Sequence, residues 1–488
     1  MDLPGLLAPA AAKTLTLLHL LVFALALVLV SLVRRPALRK ALLLSASVLA
    51  VYWLQPLLPI RHLDFWLATA ALTLAVVVWA AARPADTSLR PDLPAAALVA
   101  ALVLGVALTR YLGPVCCLTP SRPPEIGQVL LALAAAAGLV FVARRRLGQP
   151  FFVGAAGFLL IALLVVLKTP SLALAAATAL RALSGQSTAT AAALDLRWLG
   201  FSYLAFRLLH ILRDHAAGRL PAVPLQDFMI YAFFFPAYTA GPIDRLPRFV
   251  GDLNRDFTLN QSSLLSGGSR LALGLFKKFV LADSLALIAL SAANAGQIDR
   301  PLWGWVLLYA FSWRIYFDFS GYTDLAIGLG LLAGIRLPEN FDRPYLKPNL
   351  TAFWNSWHIT LAQWFRAYYF NPLTRALRSR PRPISADLIL FFVQVTTMLL
   401  IGLWHGVTWN FAIWGAWHGL GLFVHNRWIN WMRPRSAGLA SRPRLKQALE
   451  WGSVLLTFQF VSLGWVWFAL PDPALALRTF AALFGWIR

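Results

Sequence analysis

The chain contains 488 residues, of which 59% are hydrophobic and only 13% are charged. This composition is typical of a membrane protein and argues against an ordinary soluble globular domain. The formal charge of +23 is spread over short basic groups that separate apolar segments. The charge therefore indicates membrane topology and contact with lipid headgroups, and it argues against nucleic acid as a partner.

The N-terminal part of the chain is dominated by apolar stretches of about the length that spans a bilayer. Each of these stretches predicts a transmembrane helix. Basic residues concentrate in the first, third and fifth loops between them, which predicts an N-terminus outside the cell. The six apolar stretches are residues 14–33, 41–58, 63–82, 93–109, 126–143 and 150–167.

A loop-like stretch, residues 184–197, separates this part from the remainder. It predicts two regions, an N-terminal set of spanning helices of unassigned role (1–190) and a second region (191–488). Apolar segments of the second region are shorter and are interrupted by charges, Pro and Gly. Charged groups at membrane depth are tolerated when they are buried in protein or line a wet cavity, so function is expected here. The interrupted segments are 198–212, 226–243, 269–292, 302–317 and 320–335.

The last part of the chain combines aromatic and spanning segments. Residues 350–373 are aromatic and amphipathic, which predicts a re-entrant or interfacial helix. Spanning helices are predicted at 386–404, 407–425 and 451–470. Together these elements predict an all-α, polytopic integral membrane protein.

Two histidines lie among tryptophans in this region and are the candidate catalytic residues. His405 lies in GLWHG at the junction of two predicted helices, where the flanking glycines let a substrate approach the imidazole. A buried neutral imidazole is suited to act as a general base toward a hydroxyl group. His358 lies in WNSWH and could assist it. A structural role as a hydrogen-bonded core or interfacial histidine is the alternative for each.

Neighbouring side chains are candidate substrate contacts, namely Asn355, Ser356, Trp357 and Trp404. Asp318 and Tyr322 extend a polar strip that starts at Arg314, and a satisfied structural network is an equal alternative for this strip. Lys277 and Lys278 either mark a membrane boundary or attract the phosphates of a nucleotide-bearing donor.

A metal site is not predicted. His405 and His418 are separated by thirteen positions and would face opposite ways on a continuous helix. The spacings typical of zinc sites are missing. A serine nucleophile elbow, G-x-S-x-G, is absent from the sequence, which favours direct attack on a donor.

Six ordered motifs give the chain a resemblance to the membrane-bound O-acyltransferase family, in its bacterial branch of alginate O-acetyltransferase subunits and teichoic-acid D-alanyl transferases. The resemblance covers residues 198–428. The motifs are GFSYLAFR (200–207), FFFPAYTAGPIDRLPRF (233–249), GLFKKFVLAD (274–283), YFDFSGYTDLAIGLGLLAGIRLPENFDRPY (316–345), FWNSWHITLAQWFRAYYFNPL (353–373) and GLWHGVTWNFAIWGAWHG (402–419).

The resemblance implies that His405 is the essential histidine and His358 a second one needed for activity. It also implies a helical core with a tunnel through the membrane, without a permanently bound cofactor. An acyl group, most readily acetyl, would pass from acetyl-CoA or an acyl-carrier thioester to an extracytoplasmic polysaccharide. An exported acetylase-like partner, polysaccharide machinery and an inner-membrane location follow from the same resemblance. The alternatives are D-alanyl transfer to a teichoic-acid-like polymer, and a transporter or flippase without bond chemistry.

Overall fold

The computed structural model describes residues 16–83, 87–113, 116–146, 150–435 and 443–486. Regular structure in these ranges is helical, and β-pairing within them is limited to an isolated antiparallel bridge between Phe341 and Trp357. The prediction of an all-α membrane protein is confirmed.

Helices α1 to α7 form most of the predicted N-terminal region. They begin and end close to the apolar runs, because each run is long enough to satisfy its backbone internally as a helix. Residues 14 and 15 of the first predicted span lie outside the described residues. The helices are α1 (Leu17–Ser31), α2 (Pro36–Trp53), α3 (Leu63–Ala81), α4 (Leu93–Leu108), α5 (Ile126–Arg146), α6 (Pro150–Lys168) and α7 (Pro170–Leu183).

Most of the following helices before α15 are shorter. They are α8 (Phe201–Ala216), α9 (Leu225–Phe233), α10 (Phe235–Tyr238), α11 (Leu246–Leu253), α12 (Gln261–Leu275), α13 (Asp283–Ala286), α14 (Ala292–Ala295) and α15 (Pro301–Leu332). A π-helical segment, Phe276–Ala282, joins α12 to α13.

The C-terminal helices begin after an irregular stretch. They are α16 (Leu350–Trp354), α17 (Ile359–Phe365), α18 (Asn371–Arg378), α19 (Ala386–His405), α20 (Trp409–Met432), α21 (Pro443–Ala469) and α22 (Pro473–Leu483). A second π-helical segment, Arg366–Phe370, joins α17 to α18.

Two compact units divide the described residues. One comprises 16–271 and 325–337, and the other comprises 272–324 and 338–486. These limits differ from the predicted boundary near residue 190, which concerns the family core and stays a prediction. Both candidate histidines belong to the second unit.

Five helices within the described residues are long and apolar enough to cross a membrane: 63–81, 90–111, 126–144, 386–405 and 443–469. The pair 153–168 and 170–183 is bent by 96° and qualifies as one broken span. Helices α1, α2 and α20 were also predicted to span, and none of the three meets this criterion within the described residues.

Local sequence explains where several helices begin. Proline is the first residue of α2, α6, α7, α15, α21 and α22, a position at which its fixed φ is helical and its missing N–H is not needed. The Ser385 hydroxyl accepts a hydrogen bond from the Leu388 amide and caps α19, and the Asp472 carboxylate caps α22 through the Leu475 amide.

Two predicted elements differ from the structure. Residues 302–317 and 320–335, expected as separate segments, form the single helix α15. Residues 350–373, expected as one helix, are interrupted between Trp354 and Ile359. The cause of each difference lies in side-chain contacts of the second unit described below.

The loop after α7 is held by a buried ion pair. The Arg181 guanidinium donates to the Asp195 carboxylate at 2.7 Å, and it also donates to the Thr190 hydroxyl at 3.0 Å. Both charged residues are buried, with 7% and 5% of their surfaces exposed. The loop-like composition of 184–197 therefore does not indicate an unattached linker.

Replacement of Asp195 with Asn is expected to lower the free energy of unfolding by about 3 kcal/mol, because it leaves a buried guanidinium without its counter-charge. The Arg219→Gln variant is the control, since Arg219 pairs with Asp214 at the surface with 63% of its side chain exposed. This control should cost less than about 1 kcal/mol. Thermal unfolding of the purified variants measures both, and equal shifts would contradict the buried pair's larger contribution.

Candidate active site

The segment before His358 is held by the loop after α15. The Asp342 amide donates to the Ser356 carbonyl and the Ile359 amide donates to the Asn340 carbonyl, both at 3.0 Å. The Asn340 carboxamide oxygen accepts from the Thr360 hydroxyl at 2.6 Å. These bonds satisfy backbone groups at the interruption between α16 and α17, which is why the chain leaves the helix there.

His358 lies at this interruption in the left-handed conformation, with φ 44° and ψ 52°. A non-glycine residue in this region is strained, and such strain is characteristic of functional sites. The ring packs edge-on against Phe319 with centroids 4.7 Å apart. It is 3% exposed, and neither ring nitrogen has a hydrogen-bond partner among the described residues.

The His358 side chain lies outside the candidate spanning helices. Burial lowers the pKa of its imidazole, because desolvation disfavours the charged form. The ring is therefore neutral at physiological pH and retains one nitrogen able to accept a proton.

His405 is the last residue of α19, and its half-buried ring is surrounded by aromatic side chains. The centroid distances are 4.7 Å to Trp404, 5.0 Å to Phe468, 5.7 Å to Trp414 and 6.0 Å to Phe411. Trp404 also contacts His358, with the two centroids 6.2 Å apart. The two predicted catalytic histidines therefore contact the same tryptophan.

His418 belongs to the same cluster, although it was not predicted as a functional residue. The chain leaves the helix between His405 and Trp409 and turns back, so the two histidines do not lie on one continuous helix. Trp414 contacts both, at 5.7 Å from His405 and 5.0 Å from His418. His418 is fully buried, and neither of its ring nitrogens has a hydrogen-bond partner among the described residues.

The predicted substrate contacts around His358 fall into different surroundings. Ser356 is buried, and its hydroxyl donates to the Ala352 carbonyl at 2.7 Å, so this bond occupies its proton. Trp357 is buried against other rings, including Trp465 with centroids 5.1 Å apart. Asn355 is exposed, and its carboxamide oxygen accepts from Arg366 at 2.6 Å. Asn355 is the exposed member of these three residues.

The remaining predicted residues form two ion pairs between the first π-helical segment and α15. Lys277 donates to Asp324 at 2.7 Å and Lys278 donates to Asp318 at 2.5 Å. The segments approach closely at Gly321, where a Cβ atom would lie 2.9 Å from the Lys278 backbone nitrogen. Tyr322 is buried one residue away. Each carboxylate on α15 is neutralised, which explains why two acidic residues do not break the helix.

These pairs permit a direct test of whether the lysines are structural or bind a donor. Lys277→Met is expected to lower the free energy of unfolding by about 3 kcal/mol, since it leaves Asp324 buried without this partner. The double variant Lys277→Met/Asp324→Asn should recover most of that loss and keep the wild-type KM for the acyl donor. Recovered stability with a raised donor KM would instead support the prediction that Lys277 attracts donor phosphates.

Several residues near the histidines were not predicted as functional. Trp354 contacts His418 and Trp414, with centroids 5.2 and 5.8 Å apart. It also lines a pocket together with Asn355, Ile359, Ala362, Gln363 and Arg366. The second Trp-His-Gly triplet, at His418, repeats the one at His405 and was the available signal in the sequence.

Known proteins are similar to this chain over the region that contains the histidines. A family model described as MBOAT, the membrane-bound O-acyltransferase family, matches residues 146–464. The chain is 37% identical over 291 residues to a probable alginate O-acetylase of Azotobacter vinelandii, which covers 59% of this chain and 54% of that protein. It is 35% identical over 263 residues to a peptidoglycan O-acetyltransferase of Helicobacter pylori, covering 53% and 46%.

A teichoic acid D-alanyltransferase of Streptococcus thermophilus is 32% identical over 289 residues, covering 56% of this chain and 68% of that protein. The matched region is about half the length of the alginate and peptidoglycan acetylases. The family match covers more than half of the chain and includes both histidines on Trp404. This protein belongs to the membrane-bound O-acyltransferase family.

Proposed function

We propose that this protein transfers an acetyl group from a thioester donor on the cytoplasmic side to hydroxyl groups of an extracytoplasmic polysaccharide. The observation that carries the proposal is the contact of His358 and His405 with one tryptophan, Trp404. Family membership supports acyl transfer as the reaction, and the acetylases among the relatives support acetyl as the group.

His405 serves as the general base. Its imidazole removes the proton from the acceptor hydroxyl as the oxygen attacks the thioester carbonyl. The carbon–sulfur bond then breaks and the thiolate leaves, taking a proton from the imidazolium. Proton transfer of this kind contributes a rate factor of about 10² to 10⁴. His358 assists by holding or relaying a proton, and its unpartnered ring nitrogens among the described residues support this role.

The rings around the two histidines favour a dry site. The Trp414 ring is 1% exposed and Phe468 is 4% exposed, and both contact His405. Exclusion of water strengthens electrostatic interactions and limits hydrolysis of a reactive acyl donor. The proposed substrate contacts remain Asn355, Ser356, Trp357, Trp404, Asp318 and Tyr322. The hydrogen bond of Ser356 and the ion pair of Asp318 favour a structural role for those two.

The donor, partners and location follow from this reaction. Acetyl-CoA or an acyl-carrier thioester supplies the acyl group, and no permanently bound cofactor is required. An exported acetylase-like protein and polysaccharide machinery are the proposed partners, and the inner membrane, whose lipids surround the protein, is the proposed location. The tunnel that such a transfer needs stays a prediction.

The proposal is tested with the full chain purified in detergent and offered [¹⁴C]acetyl-CoA with an acidic or a neutral oligosaccharide. We expect labelled ester on the oligosaccharide and release of CoA. D-alanyl carrier protein is offered in parallel, because the similarity to the Streptococcus thermophilus D-alanyltransferase favours D-alanyl transfer as the second candidate. A labelled product formed with D-alanyl carrier protein and not with acetyl-CoA would reject acetyl transfer and support D-alanyl transfer. Movement of label across a vesicle without an ester product would favour a transporter or flippase.

A further inference from the structure

The pocket beside Asn355 carries a positive charge that has no role in the proposed acyl-transfer step. It has a volume of about 260 Å³ and is lined by Trp354, Asn355, Ile359, Ala362, Gln363 and Arg366. None of these described lining residues is acidic, so the Arg366 guanidinium gives the pocket an uncompensated positive charge. Gln363 and Asn355 add carboxamide groups to an otherwise apolar wall.

Arg366 is exposed, and a hydrogen bond positions its guanidinium. One of its nitrogens, Nη2, donates to the Asn355 carboxamide oxygen at 2.6 Å. Arg366 also begins the π-helical segment Arg366–Phe370, and the wider turn of a π-helix is frequent at functional sites. One hydrogen bond uses a single N–H, so the planar guanidinium keeps further donors for a ligand.

The pocket is joined to the candidate active site through its aromatic wall. Trp354 is 7% exposed and contacts Trp414 at a centroid distance of 5.8 Å. Trp414 in turn contacts His405 at 5.7 Å. The pocket is therefore separated from His405 by two ring contacts, which is within the length of a CoA donor or a polymeric acceptor.

We propose that this pocket is an oxyanion subsite in which the Arg366 guanidinium binds a carboxylate or phosphate group of a substrate. Guanidinium groups recognise both anions through paired, charge-assisted hydrogen bonds. The substrate role rests on the proposed acetyl transfer, whereas anion binding itself does not. The anion is either a carboxylate of the acceptor polymer or a phosphate of the donor.

Equilibrium binding to the purified full chain in detergent distinguishes the two sources. The probes are CoA against pantetheine, which lacks the nucleotide phosphates, and a tetra-uronate against a neutral tetrasaccharide. Arg366→Gln is expected to weaken binding of one charged probe by about 10- to 100-fold, the range for a hydrogen bond to a charged group. Its uncharged counterpart should change less than about twofold by the same reasoning. The charged probe that loses affinity identifies the source.

Two further variants keep the experiment specific. Arg366→Lys retains the charge without the planar fork and should give an intermediate loss. Arg375→Gln is the matched control, because Arg375 is another exposed arginine nearby, its Nε donates within its own helix at 3.4 Å, and it does not line the pocket. Thermal unfolding confirms that each variant is folded.

The subsite is overturned if Arg366→Gln leaves all four affinities unchanged, weakens charged and uncharged probes equally, or behaves as Arg375→Gln does. Binding is measured without turnover, so the outcome is separate from that for acetyl transfer. A wild-type protein that transfers no acetyl group but loses one anion with Arg366→Gln would retain the subsite and reject the proposed reaction. Acetyl transfer by the wild-type protein, together with anion affinities that Arg366→Gln leaves unchanged, would support the proposed reaction and reject the subsite.

Discussion

Replacement of His405 with Ala is expected to abolish acyl transfer, with a loss of about 10²- to 10⁴-fold if proton transfer alone is removed. The variant should remain folded in the membrane, because His405 is half-buried at a helix end and its aromatic neighbours also contact one another: Trp414 and Phe468 lie 5.3 Å apart. The measurement is the rate of labelled ester formation at saturating acetyl-CoA, together with thermal unfolding of the purified protein.

His425→Ala provides the matched control for His405. His425 lies on α20 and its Nδ1 is 3.2 Å from the Thr351 hydroxyl, away from the ring contacts of the site. We expect its rate to stay within about twofold of wild type, since only a weak surface hydrogen bond is lost. Acyl transfer retained by His405→Ala would remove His405 from the mechanism, whatever the control does.

Replacement of Gly415 with a larger residue is expected to disrupt the α19–α20 hairpin that carries His405. A Cβ atom at Gly415 would lie 2.5 Å from the Met398 carbonyl oxygen and 2.8 Å from the Leu399 Cα. Gly419 meets Val395 similarly, at 2.8 Å. Small residues at such interfaces let membrane helices approach backbone to backbone. Gly415→Ala should cost about 1–3 kcal/mol from overpacking, and Gly415→Leu should yield little folded protein.

Gly452→Ala distinguishes this steric effect from the general consequence of adding a methyl group to a helix. Gly452 lies in α21, where a Cβ atom would meet no atom within 4 Å. Alanine there should be neutral or stabilising by up to about 1 kcal/mol, because it is the better helix former. Folded yield by size exclusion and the thermal midpoint report both variants. A Gly415→Ala protein as stable as wild type would contradict the close packing.

Long apolar runs predicted the positions of helices well, because a helix satisfies the backbone groups of such a run internally. Prediction failed where partners distant in sequence decide the outcome. Asp318 and Asp324 resemble interruptions of an apolar segment, yet α15 continues through them since Lys278 and Lys277 neutralise their charges. Those pairings between residues 40 and 47 positions apart could not be inferred from a single chain.

The candidate site was predicted only in part, because some of its contacts also join residues distant in sequence. His405 and His358 stood out as polar groups in apolar, aromatic segments, and the structure brings both to Trp404. His418 was missed because the turn after His405 reverses the chain and places both rings on Trp414. Two residues that line the pocket, Asn355 and Arg366, are joined by a hydrogen bond eleven positions apart across a break in the helix, and this break was not predicted.

The backbone conformation of His358 opposes thermal stability to the proposed catalytic role at one position. Its φ of 44° suits glycine better than histidine, since a Cβ-bearing side chain in that region costs about 1–2 kcal/mol. Glycine at this position would relax the backbone and remove the imidazole. If His358 assists acyl transfer as proposed, this glycine variant should gain thermal stability and lose turnover.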